Sequence, residues 1–198
     1  VVADIVENYD VDGIIFDDYF HQDGYKNEYD DVQYQATSNG MSRADWRRAQ
    51  NSLMVSMVNS TIKSIKPWVK FGIGPAGVAG KANTSAPVYG VEPCPSPSSD
   101  WQYNGIYSDP VAWISQNTVD YISPQVYWTI GANADYSKIV PWWGTVVHKF
   151  GRHNYTSCSL SDLKREPSSA PAHLPQAEEY SDVEEYAEDR VFARIPER

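Results

Sequence analysis

The stretch Tyr9-Asp10-Val11-Asp12-Gly13-Ile14-Ile15-Phe16-Asp17-Asp18-Tyr19-Phe20 decides the fold. Residues 11–16 read as a short apolar strand that passes without a break into two adjacent aspartates. A fully buried charge is costly unless it is paired, so both carboxyls are expected in a polar cleft at the carboxyl end of that strand. Successive strand residues face opposite ways. One aspartate therefore turns toward the interior axis of the sheet and the other toward a neighbouring strand or loop.

Working outward, residues 1–9 place Val1, Val2, Ile5 and Val6 on one face, as the last turns of a helix would. Residues 19–41 are polar and aromatic, with Gly24, Asn39 and Gly40, and read as a long loop. Ser42-Arg43-Ala44-Asp45 has the form of a capping box with Asp in place of Glu; it opens a helix that Pro67 stops. Trp46, Ala49, Leu53, Met57 and Val58 are its expected sheet-packing face. Residues 69–73 form the next strand, and a loop rich in Gly, Pro, Ser and Asn fills 76–107, a length that is commonly functional or disordered. Asp109-Pro110 opens a short helix to residue 117. Residues 120–126 give a third strand, 136–150 a helix that Pro141 should disturb, and 152–157 a fourth strand.

Strands alternating with helices predict an α/β fold with a parallel sheet. In each unit the Gly-rich and polar residues follow the strand, which is the face where such folds carry chemistry. A closed (β/α)₈ barrel needs eight strands and about 250 residues. Four units make either a partial barrel or a small open sheet. The composition changes at Lys164: residues 164–198 are acidic and dotted with Pro167, Pro171, Pro175 and Pro196, and are expected to be a low-order tail, at most a loose helix over 181–190. The expected organisation is thus a partial barrel over 1–163 followed by that tail.

A net charge of −10 and the lack of a Lys/Arg stripe argue against a nucleic-acid partner. There is no run of 18 apolar residues, so no membrane span is expected. The chain opens at Val1 with no visible leader. Cys94 and Cys158 are too few and too far apart for a disulfide scaffold or a metal framework, and sequence alone does not place them in space. Seven Trp and fourteen Tyr are enough both to fill a core and to stack on sugar rings.

Cleaving a glycosidic bond generally takes two carboxyl groups on either side of it. Adjacent residues do not readily flank one bond, so Asp17 and Asp18 supply one side, one acting and the other orienting it or binding a hydroxyl. Ser123-Pro124-Gln125-Val126-Tyr127-Trp128 ends the third strand with an amide, a phenol and an indole, groups that suit a sugar subsite as well as a core. Tyr19 and His21 follow the aspartates into the same loop. Glu92, Asp100 and Asp109 are candidates for the second carboxylate, although Asp109 already has a capping role. His153 begins the fourth strand, and Trp142-Trp143 reads as packing. Asp17, Asp18, His21 and Asp23 are hard metal ligands, but their spacing matches no metal motif, so neither metal nor cofactor is expected.

Four segments together resemble the family 10 glycosyl hydrolase-like proteins over about residues 1–163: the opening stretch, Lys66-Pro67-Trp68-Val69-Lys70-Phe71-Gly72-Ile73-Gly74-Pro75, Val119-Asp120-Tyr121-Ile122-Ser123-Pro124-Gln125-Val126-Tyr127-Trp128, and the Trp142-Trp143 helix. The resemblance implies a (β/α)₈ barrel in an exported bacterial protein, often a lipoprotein, that acts on a polysaccharide such as a cell-wall glycan. It places Asp17 and Asp18 at the fourth strand as catalytic carboxylates, and Gln125 and Tyr127 at the sixth. The expected substrate-binding residues are Tyr19, His21, Gln125, Tyr127 and Trp128. The first three strand–helix units of the family are absent here, which suggests a fragment or partial gene. The tail from Lys164 suggests a change of frame, an assembly artefact or a divergent end.

Overall fold

The computed structural model describes residues 1–79, 86–96 and 100–159. The tail from Lys164, with its expected helix over 181–190, lies outside the described residues. Among the described residues five α-helices, α1 (Val2–Asn8), α2 (Asp31–Thr37), α3 (Arg43–Ile65), α4 (Pro110–Ser115) and α5 (Tyr136–Lys149), are interspersed with four strands, β1 (Gly13–Asp17), β2 (Lys70–Gly74), β3 (Tyr121–Ile122) and β4 (His153–Asn154). The strands lie side by side in chain order and pair in parallel. This is the α/β architecture of part of a (β/α)₈ barrel. No described helix is long and apolar enough to cross a membrane.

The two faces of the sheet differ as a barrel wall requires. Phe16, Ile73 and Ile122 share one rung of the register, with Ile14 and Phe71 in the rung below. They pack against the helices in a core with Val6, Val55, Ile62, Trp113, Ile139 and Trp143. Burying each of the large apolar side chains contributes about 1.5–3 kcal/mol. On the opposite, axis-side face the rung is Ile15, Gly72, Tyr121 and His153. Ile15 is 55% exposed there. Gly72 is required: a Cβ at this position would lie 2.2 Å from the Tyr121 ring, which crosses it to bring its hydroxyl to Ile14 O.

Several boundaries follow local chemistry that apolar periodicity does not record. The loop expected over 19–41 contains α2 and a single 3₁₀ turn, Asn27–Tyr29. Helix α2 buries no residue, so it carries no apolar period, and Arg43 anchors it instead through Asp30 and Asp31. At the start of α3 the Ser42 hydroxyl accepts from Asp45 N at 3.2 Å and donates to Asp45 Oδ2 at 2.6 Å. The inward face of α3 is the expected one only in part: Trp46 is buried and Val58 packs on the core. Arg47, Asn51, Val55 and Ile62 are buried, whereas Leu53 and Met57 are mostly exposed. Two polar residues hold core positions there because they bind the loops above the sheet.

Strands three and four are shorter than expected. Pro124 has no N–H, and regular pairing stops before it. The ladder continues as single bridges from Gln125 to Ala76 and to Ser157. Helix α5 runs unbroken past Pro141, which falls near its start. Cys94 is buried, Cys158 is exposed, and both are free.

Candidate active site

Asp17 and Asp18 leave the carboxyl end of β1 in different directions and into different surroundings. Asp17 is exposed, in register with Gly74, and its Oδ1 accepts from Gln125 Nε2 at 2.7 Å. Gln125 Nε2 also donates to Gly74 O at 2.8 Å. One amide therefore ties the ends of β1, β2 and the segment after β3 together. Asp18 is 1% exposed. Its Oδ2 accepts from Gln102 Nε2 at 2.8 Å and from the Ser108 hydroxyl. Burial pushes the Asp18 carboxyl up to about 6, against the opposing pull of Ser108 and Gln102 and with a further push from Asp17.

Above these carboxyls lies a cleft of about 310 Å³. Its walls are Tyr19, Trp101, Gln102, Gln125, Tyr127 and Trp128, over a floor of Ala76, Gly77 and Val78. Tyr19 and Trp101 approach to 6.0 Å between ring centroids. Tyr127 and Trp128 are 47% and 38% exposed, so their faces remain available to a ligand. Gly77 lets the wall close: a Cβ there would meet Gln125 O at 2.6 Å and the Trp128 ring at 2.7 Å. Aromatic faces beside amide edges and a carboxylate can stack a sugar ring, read its hydroxyls and move a proton.

Of the residues singled out from sequence, Tyr19, Gln125, Tyr127 and Trp128 come together in this cleft, and Asp17 is bonded to its wall. His21 does not line it. Its Nδ1 lies 3.1 Å from Asn51 Oδ1, and its ring packs edge-on against Tyr25 and Tyr107. The Asn51 NH₂ group is occupied by Tyr107 O, so its Oδ1 accepts and the imidazole proton is assigned to Nδ1. Burial and the neighbouring Arg47 charge hold the His21 pKa below the usual histidine range. Beside it, Arg47 grips both oxygens of Asp30, at 2.6 and 2.9 Å, and donates to the Tyr107 hydroxyl at 2.8 Å. This ion pair locks the loop after β1 to α3 and to the approach to α4.

None of Glu92, Asp100 and Asp109 lines the cleft. Asp109 caps α4 by accepting from Ala112 N at 3.1 Å. His153 stacks on Tyr155 on the axis side of β4. Trp142 and Trp143 are buried, with indole N–H groups on Glu92 O and Gly77 O. Trp101, Gln102 and Ser108 were not singled out from sequence. For Trp101 and Gln102 a signal was available in Trp101-Gln102-Tyr103, which repeats the amide-and-aromatic make-up of residues 125–128; Ser108 had none. A second groove, about 420 Å³ between α1 and α3, is lined by Val2, Leu53, Met54, Met57 and Val58 with no titratable group.

A family model described as glycosyl hydrolase-like 10 matches residues 1–165. The chain is similar to a protein named glycosyl hydrolase DigH from Escherichia coli strain K12, 37% identical over 150 residues that make up 74% of this chain and 33% of the relative. The protein of that name from Shigella flexneri matches equally. Glycosyl hydrolase YngK from Bacillus subtilis strain 168 is 37% identical over 168 residues, 78% of this chain and 30% of its own length. The chain spans about a third of the length of these relatives.

Proposed function

Since the chain belongs to the glycosyl hydrolase-like 10 family, we propose that it serves hydrolysis of O-glycosidic bonds in a polysaccharide, with Asp17 as the reacting carboxylate. The observation that carries this reading is the exposed Asp17 carboxylate, held by Gln125 at 2.7 Å against the wall of an aromatic-lined cleft. In that position it either protonates the leaving oxygen, attacks the anomeric carbon or activates water, with a second carboxyl across the bond. Tyr127 and Trp128 stack the sugar, and Gln125 and Tyr19 contact its hydroxyls. The buried Asp18 shapes the wall without touching the reacting atoms.

The substrate we favour is a bacterial cell-wall glycan, and the protein is correspondingly an exported one, periplasmic, secreted or anchored at the cell surface. Support comes from the family and from relatives named as glycosyl hydrolases. The test incubates the protein and its Asp17→Asn variant with purified glycan strands and follows new reducing ends and muropeptide release. Release by the parent and its loss in the variant are expected. Glycan binding without any release would instead assign the cleft to a non-catalytic carbohydrate-binding protein.

A further inference from the structure

The seven tryptophans differ in what their indole N–H groups do. Trp46, Trp113, Trp142 and Trp143 are buried, and each donates to a protein oxygen. Trp101 is partly exposed, lines the cleft and donates to nothing among the described residues. A ring with one side on the protein and the other wet, and with an N–H left over, has the form of a ligand contact.

The protein fixes this ring from several sides. Trp101 opens the π-helical turn Trp101–Gly105, and Gly105 makes room for it: a Cβ there would lie 2.9 Å from Trp101 Cδ1. The Tyr19 ring stands beside it. The chain that follows is pinned at three points. Gln102 donates to Asp18, Asn51 donates to Tyr107 O, and Arg48 donates to Tyr103 O at 2.8 Å with its guanidinium 4.0 Å from the Tyr103 ring centroid. The indole is therefore in place before a ligand arrives, which lowers the ordering cost of binding.

Its place along the cleft follows from the strand order. Tyr19 and the Gln102–Asp18 bond set Trp101 over the end of β1, whereas Tyr127 and Trp128 follow β3. Strand β2 lies between those two, so their ends are about 10 Å apart, too far for one sugar ring to touch both supports. The Asp17 carboxylate lies between the supports, because Gln125 reaches it from the β3 side across Gly74 of β2. Resting on the glycosidase reading of this cleft, we propose that Trp101 is a specificity-determining residue that stacks a sugar on the far side of the scissile bond from the one on Tyr127 and Trp128. The site thereby selects long stretches of glycan over short fragments.

The test titrates the 198-residue chain with a disaccharide and a tetrasaccharide cut from the same peptidoglycan glycan, and measures binding by calorimetry. The parent should bind the tetrasaccharide about tenfold or more tighter, as a second stacked ring would give. Trp101→Ala should bring the two affinities within about twofold of each other by weakening the tetrasaccharide, and Trp101→Phe should restore most of the difference. Gly105→Ala keeps the indole but displaces it, so it should also shrink the ratio while melting cooperatively. Should Trp101→Ala fail to melt cooperatively, the ratio in Gly105→Ala decides. Equal affinity of the parent for both lengths, or a ratio unchanged in the variants, would overturn the proposal and leave the glycosidase reading standing. Binding of neither fragment by the parent would overturn both.

Discussion

Gln125, 108 residues downstream of Asp17, donates to the Asp17 carboxylate at 2.7 Å and so joins the ends of nonadjacent strands over Gly74. The aspartate is oriented by a neutral group and stays exposed. Asp17→Asn should therefore cut turnover by about 10²–10⁴-fold. Its effect on stability should stay within about 0.5 kcal/mol, as for other exposed positions. Reducing-end release and a denaturation curve on the same preparation check both; an Asp17→Asn protein turning over at the parental rate excludes the residue from the chemistry.

Asp18 links the cleft wall to pH. Its carboxyl is raised in the folded state to about 6 from 3.8. A raised folded value means that the stabilising contribution is fully present below the unfolded value and is lost as pH rises through about 6. The swing is on the order of 3 kcal/mol at most. Asp18→Asn should flatten the melting temperature between about pH 4 and 7 relative to the parent. Parallel pH profiles for the two proteins would show that Asp18 does not titrate in this window.

Arg47 is almost wholly buried and pairs with Asp30, whose side chain is 10% exposed. Removing Arg47 leaves Asp30 with Arg43 as its cation and takes the guanidinium away from the Tyr107 hydroxyl. Arg47→Met should destabilise the fold by about 2–4 kcal/mol in urea denaturation. Tyr107→Phe, which removes a single bond to the guanidinium, should cost about 1.5–3 kcal/mol. A loss below about 1 kcal/mol in Arg47→Met would mean that the loop holds without the clamp.

Lys63 and Asp120 meet at 2.6 Å beneath the sheet, and Asp120 also accepts from Phe71 N at 2.8 Å. Burial pushes the Asp120 carboxyl up, but Lys63 and the Phe71 N–H outweigh it and hold the pKa below the ordinary value. For a depressed carboxylate the contribution is present above the unfolded value and is lost as pH falls through the folded one. Lys63→Met should therefore be less stable by about 1–3 kcal/mol at pH 7. The gap should narrow on acidification, and a gap independent of pH would mean that Asp120 is not the group responsible.

Strand positions were legible wherever apolar runs end in glycine or acid, as at residues 13–17 and 70–74. The capped helix starts at Ser42 and Asp109 were legible for the same reason: each rests on local chemistry that a short window contains. Helix α2 was not, because ion pairs to Arg43 hold it in place of an apolar face. The inward face of α3 was legible at Trp46 and Val58 but not beyond them, because Arg47 and Asn51 share it. In the site, Asp17, Tyr19, Gln125, Tyr127 and Trp128 sit at strand ends, where topology alone predicts convergence. Gln102 and Ser108 reach Asp18 from 84 and 90 residues away, out of a loop whose path no periodicity encodes. His21 follows the aspartates in sequence, but the loop turns it toward α3 instead.

Gly77 has a consequence for how such a cleft can diverge. Its missing side chain lets the loop after β2 lie against Trp128 and Gln125 O, and its carbonyl receives the Trp143 indole. The width of the cleft is therefore set by a residue that has no side chain of its own. Enlarging that one position would push on the indole platform and on Gln125 O together, and so would reach the amide that holds Asp17. Variation in substrate girth among related sequences should accordingly be sought first at the residue aligned with Gly77.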